Sequence, residues 1–253
     1  MTHINLSNKK ILLTGSSKGI GRVVAAYLIE MGAQVALHYN KNAESAVELS
    51  KSCSNGSKAF QADLEQESEV IHLFDKVITD FGKLDAIILN AGVFLEHSTD
   101  LDTNDWFSIW KKTININLHS VGILTKLGIN HYQKVSGGRF IYIGSRATFR
   151  GETEEYLGYA ASKGGLTSLA RSVARSFGKQ NIKSFVVSPG FTRTQMAEQF
   201  IDSYGEEKVL KEISLNELTK PKDLAPLIAM LCSGLMDHAT GATIDMNAGS
   251  HIR

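Results

Sequence analysis

The amino-acid sequence predicts an α/β protein built on a doubly wound, mainly parallel sheet of seven strands flanked by helices. Short apolar runs alternate with longer segments of helical periodicity, which is typical of parallel βαβ units. The runs at 11–13, 86–89 and 140–143 are largely apolar, as expected for strands buried on both faces. The chain has 253 residues, 43% of them hydrophobic, and no evident linker or repeat, so we interpret 1–253 as a single domain.

The individual elements follow from these patterns in chain order. Each predicted strand is a short apolar run that ends near a turn residue, and each predicted helix repeats its apolar residues every three or four positions. The strands are Lys10–Leu13, Gln34–Tyr39, Lys58–Gln61, Ala86–Asn90, Arg139–Ile143, Ser184–Val187 and Thr243–Met246. The helices cover 20–31, 43–53, 67–81, 104–131, 157–178 and 222–233. In such a sheet the ligand binds beyond the carboxyl ends of the strands.

Composition and charge argue against several classes of function. The chain has 27 Lys and Arg against 26 Asp and Glu, and this net charge of +1 does not favour a general nucleic-acid-binding surface. The first ten residues lack the apolar core of a signal peptide, and no apolar run approaches the roughly 18 residues of a membrane span. We therefore expect a cytoplasmic protein that does not bind membranes. The eight histidines have no metal-type spacing, so we predict no metal site.

A glycine-rich turn joins the first strand to the first helix. The turn, Thr14 to Gly21, carries further glycines at Gly15 and Gly19. Glycines at this place let the backbone approach a phosphate, and the helix N-terminus offers free N–H groups. A purely structural turn is the alternative, but the position in the first βα unit favours the pyrophosphate of a dinucleotide.

The end of the second strand indicates which dinucleotide fits. A site for NAD usually has an Asp or Glu there, which holds the ribose hydroxyls. This chain has Tyr39, Asn40 and Lys41 instead, and Lys18 adds a positive charge within the glycine-rich turn. A 2′-phosphate would meet cations and no carboxylate, so NADP(H) is predicted over NAD(H). Lysines that are simply solvated are the alternative interpretation.

Tyr159 and Lys163 are four residues apart, so on a helix they lie on one face. A phenol with its ordinary pKa near ~10 is a slow acid or base at neutral pH, and a neighbouring ammonium would lower that pKa. A chance pair on a helix surface is the alternative. Tyr156 is a competing tyrosine, but its partner four residues on is Ala160, which carries no charge.

Further landmarks fall in a fixed order along the chain. They are Thr14 to Gly21, Asn90-Ala91-Gly92, Asn117, Ser145, Tyr159 with Lys163, Pro189-Gly190, and the segment 240–249. In this order and spacing the sequence resembles the short-chain dehydrogenase/reductase family across nearly its whole length. Within the family it is most similar to the 3-oxoacyl-(acyl-carrier-protein) reductase type. The resemblance implies a Rossmann fold, an NAD(P)-dependent oxidoreductase and a homotetramer built partly through helices 104–131 and 157–178.

The resemblance also implies four catalytic residues. Tyr159 would exchange a proton with the substrate oxygen, and Lys163 would lower the tyrosine pKa and bind the nicotinamide ribose. Ser145 would hydrogen-bond the substrate carbonyl. Asn117 would hold a water that links Lys163 to solvent. A turn residue at Ser145 and a satisfied helix residue at Asn117 are the simpler alternatives.

The same resemblance implies a set of cofactor contacts that follow the strand ends. Around the pyrophosphate these are Gly15, Ser17, Gly19, Ile20 and Gly21. At the adenosine phosphate, the lack of a carboxylate and the positive charges described above add Lys18, Tyr39, Asn40 and Lys41. Around the adenosine they are Asp63, Leu64, Asn90, Ala91 and Gly92. Around the nicotinamide they are Tyr159, Lys163, Pro189, Gly190, Thr192 and Thr194.

Two segments are expected to border the substrate. Ser145 precedes Tyr159 by 14 residues, one more than is common in the family, and the intervening 150–158 contains three glutamates that would reshape the pocket mouth. The segment 191–215 would form a mobile wall or lid on the substrate side. Its Met196, Phe200, Ile201 and Tyr204 would line the pocket, although ordinary helix packing explains them equally well.

The predicted function is NADPH-dependent reduction of a carbonyl group to a secondary alcohol, with 3-oxoacyl thioesters of fatty acid biosynthesis as the first substrates to consider. A sugar or polyol dehydrogenase is one alternative, and a non-catalytic NADP-binding sensor or scaffold is another. For a carrier-protein substrate, Arg139, Arg175 and Lys179 could meet acidic partners, although ordinary surface charge is the simpler interpretation.

Overall fold

The computed structural model of the chain describes residues 4–52, 55–194 and 205–252. Its sheet contains the strands β1 (Lys10–Leu13), β2 (Gln34–Tyr39), β3 (Lys58–Gln61), β4 (Ala86–Leu89), β5 (Gly138–Ile143), β6 (Ile182–Pro189) and β7 (Thr243–Met246). Their spatial order is β3-β2-β1-β4-β5-β6-β7, and every neighbouring pair is parallel. The prediction of a doubly wound, seven-stranded sheet is confirmed, and the sheet is parallel throughout.

Helices cover both faces of this sheet. The longer ones are α1 (Gly19–Glu30), α2 (Ala43–Lys51), α3 (Glu67–Phe81), α4 (Thr103–Ile114), α5 (Ser120–Lys134), α7 (Leu157–Phe177) and α9 (Pro221–Ser233), and the short ones are α6 (Ala147–Arg150) and α8 (Glu206–Leu210). Neither short helix was predicted, because one turn carries too little periodicity to be read from a sequence. The predicted helix 43–53 ends at Lys51 here, and residue 53 lies outside the described part of the chain.

Two apolar cores lie on opposite faces of the sheet. Residues of α3, α5 and α7 pack on one face, around Phe140 and Tyr142. Residues of α1 and α9 pack on the other, around Ile141 and Phe185. Because successive strand residues point to opposite faces, the fully apolar runs of the central strands supply both cores at once. The carboxyl ends of the strands are thereby held in fixed positions along one edge.

The helix predicted over 104–131 is interrupted. Between α4 and α5 the segment Asn115–His119 is π-helical, and the backbone N–H of Ser120 donates to the carbonyl of Asn115 five residues earlier. A π-helical turn accommodates an extra residue and is frequent at functional sites. The apolar pattern runs through this segment without a break, so periodicity does not predict the π-helical turn. The interruption carries Asn117, one of the predicted catalytic residues.

Arg139 is bound within the protein. Its Nε and a second guanidinium nitrogen donate to the two carboxylate oxygens of Asp237, at 2.8 and 2.7 Å. The hypothesis that Arg139 faces an acidic partner is therefore wrong. Arg175 and Lys179 are exposed, but they lie at the end of α7 opposite to Tyr159. Across the described ranges, no helix is both long and apolar enough to cross a bilayer.

Candidate active site

The glycine-rich turn between β1 and α1 forms a cradle that only glycines can build. Gly15 has φ +71°, and a side chain there would place its Cβ 2.9 Å from the Cα of Ala91. A Cβ at Gly21 would lie 2.0 Å from the carbonyl oxygen of Gly15. The helix then begins at Gly19 with no side-chain cap on its first turn. Its N–H groups and positive dipole end are thus available to a phosphate, so the residues fit the pyrophosphate of a dinucleotide.

Asn90 fastens this turn to the neighbouring strand. Its Nδ2 donates to the carbonyl oxygens of Thr14 and Gly15, at 2.9 and 3.1 Å. The hydroxyl of Thr14 in turn accepts the backbone N–H groups of Asn90 and Ala91, both at 3.0 Å. The side chain of Asn90 therefore braces the glycine-rich turn, a role the sequence did not reveal. Its predicted contact with the adenosine ribose stays a prediction.

A buried histidine that the sequence analysis passed over holds the same turn from the other side. His38, in β2, is 2% exposed, and its Nδ1 accepts the backbone N–H of Gly15 at 3.0 Å. Its Nε2 lies 3.0 Å from the carbonyl oxygen of Ala62 and donates to it in this neutral tautomer. Burial lowers the pKa of His38 from 6.5 to about 4. His38 thus links the glycine-rich turn to the end of β3 while remaining uncharged.

The end of β2 carries the residues predicted to choose between the two dinucleotides. Tyr39 is half-buried, whereas Asn40, Lys41 and Lys18 are exposed. Within the described ranges, neither lysine takes part in an ion pair. Both ammonium groups are therefore available to an anion.

Asp63 and Leu64 follow the end of β3. The Oδ1 of Asp63 accepts the backbone N–H of Glu65 at 3.0 Å, and its own N–H donates to Glu69 at 2.7 Å. Leu64 is 6% exposed. Asp63 is thereby fixed in a turn at the carboxyl edge, where adenine contacts were predicted.

The four predicted catalytic residues converge at the carboxyl ends of β4 and β5. Lys163 is 4% exposed, and its Nζ donates to the carbonyl oxygen of Ile143 at 2.8 Å. It also lies 5.7 Å from the centre of the Tyr159 ring. Both residues belong to α7, which confirms that they share one helix face. Tyr156 precedes this helix and stacks on Phe94, with ring centroids 3.8 Å apart.

The pKa of Tyr159 departs from the expectation. Burial raises it from 10.0 to about 12, although a hydrogen bond with Ser145 partly offsets this, and the charge of Glu152 raises it further. The prediction that Lys163 lowers this pKa is wrong for the protein without a bound ligand. Burial also lowers the pKa of Lys163, from 10.5 to about 8. Desolvation disfavours the charged form of each group.

Ser145 and Asn117 complete the group. Ser145 is 8% exposed, hydrogen-bonds Tyr159, and accepts the backbone N–H of Ala147 at 3.1 Å. Asn117 is fully buried; its Nδ2 donates to the carbonyl of Val93 at 2.9 Å and to Ser162 at 3.2 Å. Its Oδ1 accepts the N–H of Val93 at 2.8 Å. Both amide hydrogens of Asn117 are therefore used within the protein, and the predicted water relay stays a prediction.

Gly92, at the end of β4, lies close to two of the catalytic residues. A Cβ at Gly92 would lie 3.2 Å from the Oδ1 of Asn117 and 3.6 Å from the Nζ of Lys163. The Asn90-Ala91-Gly92 motif therefore connects the glycine-rich turn with the catalytic group. A ligand that lies along this edge contacts both.

His97 is a second residue that the sequence analysis missed. It is fully buried, and its Nε2 accepts the backbone N–H of Gly158 at 3.0 Å, at the first turn of α7. Its Nδ1 lies 3.1 Å from the carbonyl of Leu95, and its ring packs against Trp106 and Trp110. His97 therefore satisfies one of the free N–H groups at the helix start, one residue before Tyr159. Its scattered place among eight histidines gave no sign of this.

The predicted nicotinamide contacts lie after β6. Gly190 donates its N–H to the carbonyl of Met246 at 3.1 Å, and Pro189 accepts the N–H of Arg146 at 3.1 Å. Thr192 is 7% exposed and donates to the carbonyl of Gly190 at 3.2 Å. Thr194 lies over the glycine-rich turn, since a Cβ at Gly19 would be 3.5 Å from its methyl carbon.

Two further predictions concern the lid on the substrate side and the absence of a metal site. The proposed lid residues Met196, Phe200, Ile201 and Tyr204 all lie outside the described residues. Among the residues that are described, no group of three His, Cys, Asp or Glu side chains is placed to hold a metal ion.

The fold and this site define a dinucleotide-binding oxidoreductase with a Tyr and Lys pair. Comparison with known proteins agrees. A family profile described as enoyl-(acyl carrier protein) reductase matches residues 15–251. The 3-oxoacyl-(acyl-carrier-protein) reductase of Staphylococcus aureus is 30% identical over 247 residues, covering 96% of this chain and 98% of the relative.

Two solved structures are similar over nearly their full length. A short-chain dehydrogenase from Burkholderia cenocepacia in complex with NADP has a TM-score of 0.87 and 29% identity, covering 97% of this chain and 99% of that one. A blue fluorescent protein from a metagenomic library in complex with NADPH has the same TM-score and identity, covering 98% and 100%. The chain belongs to the short-chain dehydrogenase/reductase family and is an NAD(P)-dependent dehydrogenase or reductase.

His97→Leu removes the acceptor for the N–H of Gly158. We expect a fall in kcat of about tenfold or more, because a small displacement of Tyr159 from the reacting atoms is costly. The affinity for the dinucleotide should change much less. His97→Gln is the matched control, since its amide oxygen can again accept the N–H and should restore part of kcat. Equal kcat values for His97→Leu and the wild type would contradict the positioning role.

His38 makes the stability of the fold depend on pH. Its folded pKa of about 4 lies below 6.5, so the unfolded chain binds the proton more readily. The stabilisation is fully present above about pH 6.5 and is lost as the pH falls towards 4, by up to about 3 kcal/mol at about 1.36 kcal/mol per pH unit. Urea unfolding across this range should show the loss in the wild type and a smaller slope in His38→Gln.

The control for this experiment is His72→Gln, which replaces an exposed histidine. Because its side chain is exposed and does not contact the glycine-rich turn, this variant should keep the wild-type change of stability with pH. Identical slopes for His38→Gln and the wild type would contradict the argument.

Proposed function

We propose that this protein is an NADP(H)-dependent carbonyl reductase in which Tyr159 is the proton donor. The observation that carries the proposal is the group formed by Ser145, Tyr159 and Lys163 beside the glycine-rich turn. NADPH, when bound, supplies the hydride that reduces the carbonyl carbon. Its pyrophosphate would be held by the first turn of α1, and its ribose by Lys163.

The roles of the side chains follow from their protonation. With a pKa raised to about 12, Tyr159 carries its proton at neutral pH and is suited to donate it to the alkoxide oxygen that forms during reduction. Ser145 hydrogen-bonds Tyr159 and can donate to the same substrate oxygen. Asn117 positions Lys163 and Gly92 through its contacts with Val93 and Ser162. A non-catalytic sensor would need none of these groups, which argues against that alternative.

The preference for NADP(H) is supported by the end of β2. Tyr39 and Asn40 occupy positions at which an Asp or Glu would repel a 2′-phosphate. Lys18 and Lys41 are exposed, and among the described residues neither forms an ion pair. The two solved relatives contain NADP and NADPH.

Two substrate classes remain candidates. The 3-oxoacyl thioesters are supported by the curated relative at 30% identity. A sugar or polyol carbonyl is favoured by two charged residues near the catalytic group, since Arg146 directly follows Ser145 and the charge of Glu152 raises the pKa of Tyr159. The segment 191–215 is proposed as the wall on the substrate side.

The homotetramer and the cytoplasmic location stay predictions. For the tetramer, Phe107 on α4 and Leu157 on α7 are 47% and 42% exposed, which suits helices that pack against a second copy.

Tyr159→Phe removes the proton donor and keeps the ring. We expect NADPH consumption with acetoacetyl thioesters or simple ketones to fall by about 10²-fold or more, while dinucleotide binding is retained. Tyr156→Phe is the matched control, because it removes the neighbouring phenol and should keep most of the activity. Unchanged turnover in Tyr159→Phe would refute the mechanism.

Lys18→Glu combined with Lys41→Glu should weaken NADPH more than NADH. Both changes place a carboxylate where the 2′-phosphate is proposed to bind, and like charges repel. The measurement is kcat/KM for each dinucleotide at low salt with one ketone. An unaltered ratio of the two kcat/KM values would contradict the proposed phosphate site.

A further inference from the structure

Phe94, in the loop that follows β4, packs directly against the ring of Tyr159. The two ring centroids lie 4.7 Å apart, and the ring planes are nearly perpendicular, at 89°. This edge-to-face arrangement is one that aromatic pairs favour. Phe94 also stacks on Tyr156, with ring centroids 3.8 Å apart and an angle of 8° between the planes. The half-buried ring of Phe94 therefore contacts the catalytic tyrosine and is itself supported by a second tyrosine.

The backbone on both sides of Phe94 is tied to neighbouring elements. Before it, Val93 forms two hydrogen bonds with the side chain of Asn117, since its N–H donates at 2.8 Å and its carbonyl accepts at 2.9 Å. After it, the N–H of His97 donates at 2.9 Å to the carbonyl of Glu155, which lies just before α7. The loop is therefore fixed to the π-helical turn at one end and to the start of α7 at the other. Phe94 cannot move away from the helix that carries the catalytic tyrosine without breaking these bonds.

The hydrogen bond between Tyr159 and Ser145 does not by itself hold the phenol in place during the reaction. Proton transfer needs the phenol oxygen within hydrogen-bond distance of the substrate oxygen, about 2.6–3.2 Å. The bond to Ser145 is made at that same oxygen, so it changes as the proton leaves. Packing against the carbon atoms of the ring is not altered by the transfer. Phe94 thus supplies a restraint on the ring that lasts through the proton transfer.

We propose that Phe94 is a positioning residue, whose ring keeps the ring of Tyr159 turned so that the phenol faces the substrate carbonyl. Tyr156 and the hydrogen bonds of the loop hold Phe94 in turn. The effect on rate is large for a small movement, because a misplacement of about 1 Å can cost about 10²-fold. This inference rests on the proposed function, because it requires Tyr159 to be the proton donor.

Phe94→Leu removes the ring and leaves an apolar side chain. We expect kcat with NADPH and the ketone that the wild type reduces fastest to fall by about tenfold, because the phenol is less often in the reactive orientation. KM for the ketone and the affinity for NADPH should change by less than about twofold, since the loss concerns the transition state. Phe94→Tyr keeps a ring at this position and should retain most of kcat.

Phe81→Leu is the matched control for the loss of aromatic packing. Phe81 is 1% exposed and pairs edge-on with Phe60, with 6.0 Å between the ring centroids. Its carbonyl accepts a hydrogen bond from the ammonium of Lys10, the first residue of β1, so it lies at the edge of the sheet opposite to the site. This variant should unfold at a lower temperature and still keep the wild-type kcat. Thermal unfolding of each variant shows whether a fall in kcat accompanies a loss of stability.

A double variant tests whether Phe94 acts through the phenol. In the Tyr159→Phe background there is no phenol to orient, so adding Phe94→Leu should lower the residual turnover by less than about twofold. A further fall of about tenfold would show that Phe94 acts independently of the phenol and would overturn the inference.

Two failures can be told apart. Where Tyr159→Phe has lost turnover, a wild-type kcat in Phe94→Leu, an equal fall in Phe81→Leu, or a kcat in Phe94→Tyr as low as in Phe94→Leu would each overturn this inference and leave the proposed reductase standing. Undiminished turnover in Tyr159→Phe would overturn the proposed function and this inference with it.

Discussion

The charge of Lys163, held out of water against the carbonyl oxygen of Ile143, is the interaction on which the candidate site depends. Burying an ammonium costs free energy that only nearby polar groups can offset. The sheet supplies one such group, because β5 ends at Ile143, whose carbonyl oxygen accepts a hydrogen bond from Lys163 Nζ at 2.8 Å. Asn117, on the π-helical turn, lies close by, since a Cβ at Gly92 would be 3.2 Å from its Oδ1 and 3.6 Å from the Nζ of Lys163. The irregular turn in this helix therefore brings Asn117 to the edge of the site.

The two central pKa values are linked through that burial. The same exclusion of water lowers the pKa of Lys163 to about 8 and raises that of Tyr159 to about 12. Desolvation disfavours the charged form of each group. The free protein therefore holds a protonated phenol, which is the form that a proton donor in reduction requires. The spacing of four residues predicted that Tyr159 and Lys163 share one helix face, but it did not predict how burial changes their pKa values.

The sequence predicted the fold well because strands and helices are marked by short, repeated patterns of apolar and turn residues. Four of seven strands have the predicted bounds, since apolar runs and turn residues mark them directly. The tetrad and the glycine-rich turn were found by residue type and order. His38, His97 and the bracing role of Asn90 were missed, because their partners are backbone atoms 23, 61 and about 75 residues away. Such contacts exist only once the strands are ordered in the sheet, and no short-range pattern records them.

The most direct test of this account is the titration of Lys163 itself. Lysine labelled with ¹³C at Cε allows its pKa to be followed by NMR in the protein without dinucleotide, with the Lys163 signal assigned by its loss in Lys163→Arg. A buried ammonium predicts a midpoint near pH 8, well below the ordinary 10.5. A midpoint at or above 10.5 would mean that Lys163 is solvated or paired with a phenolate, and would contradict the central claim.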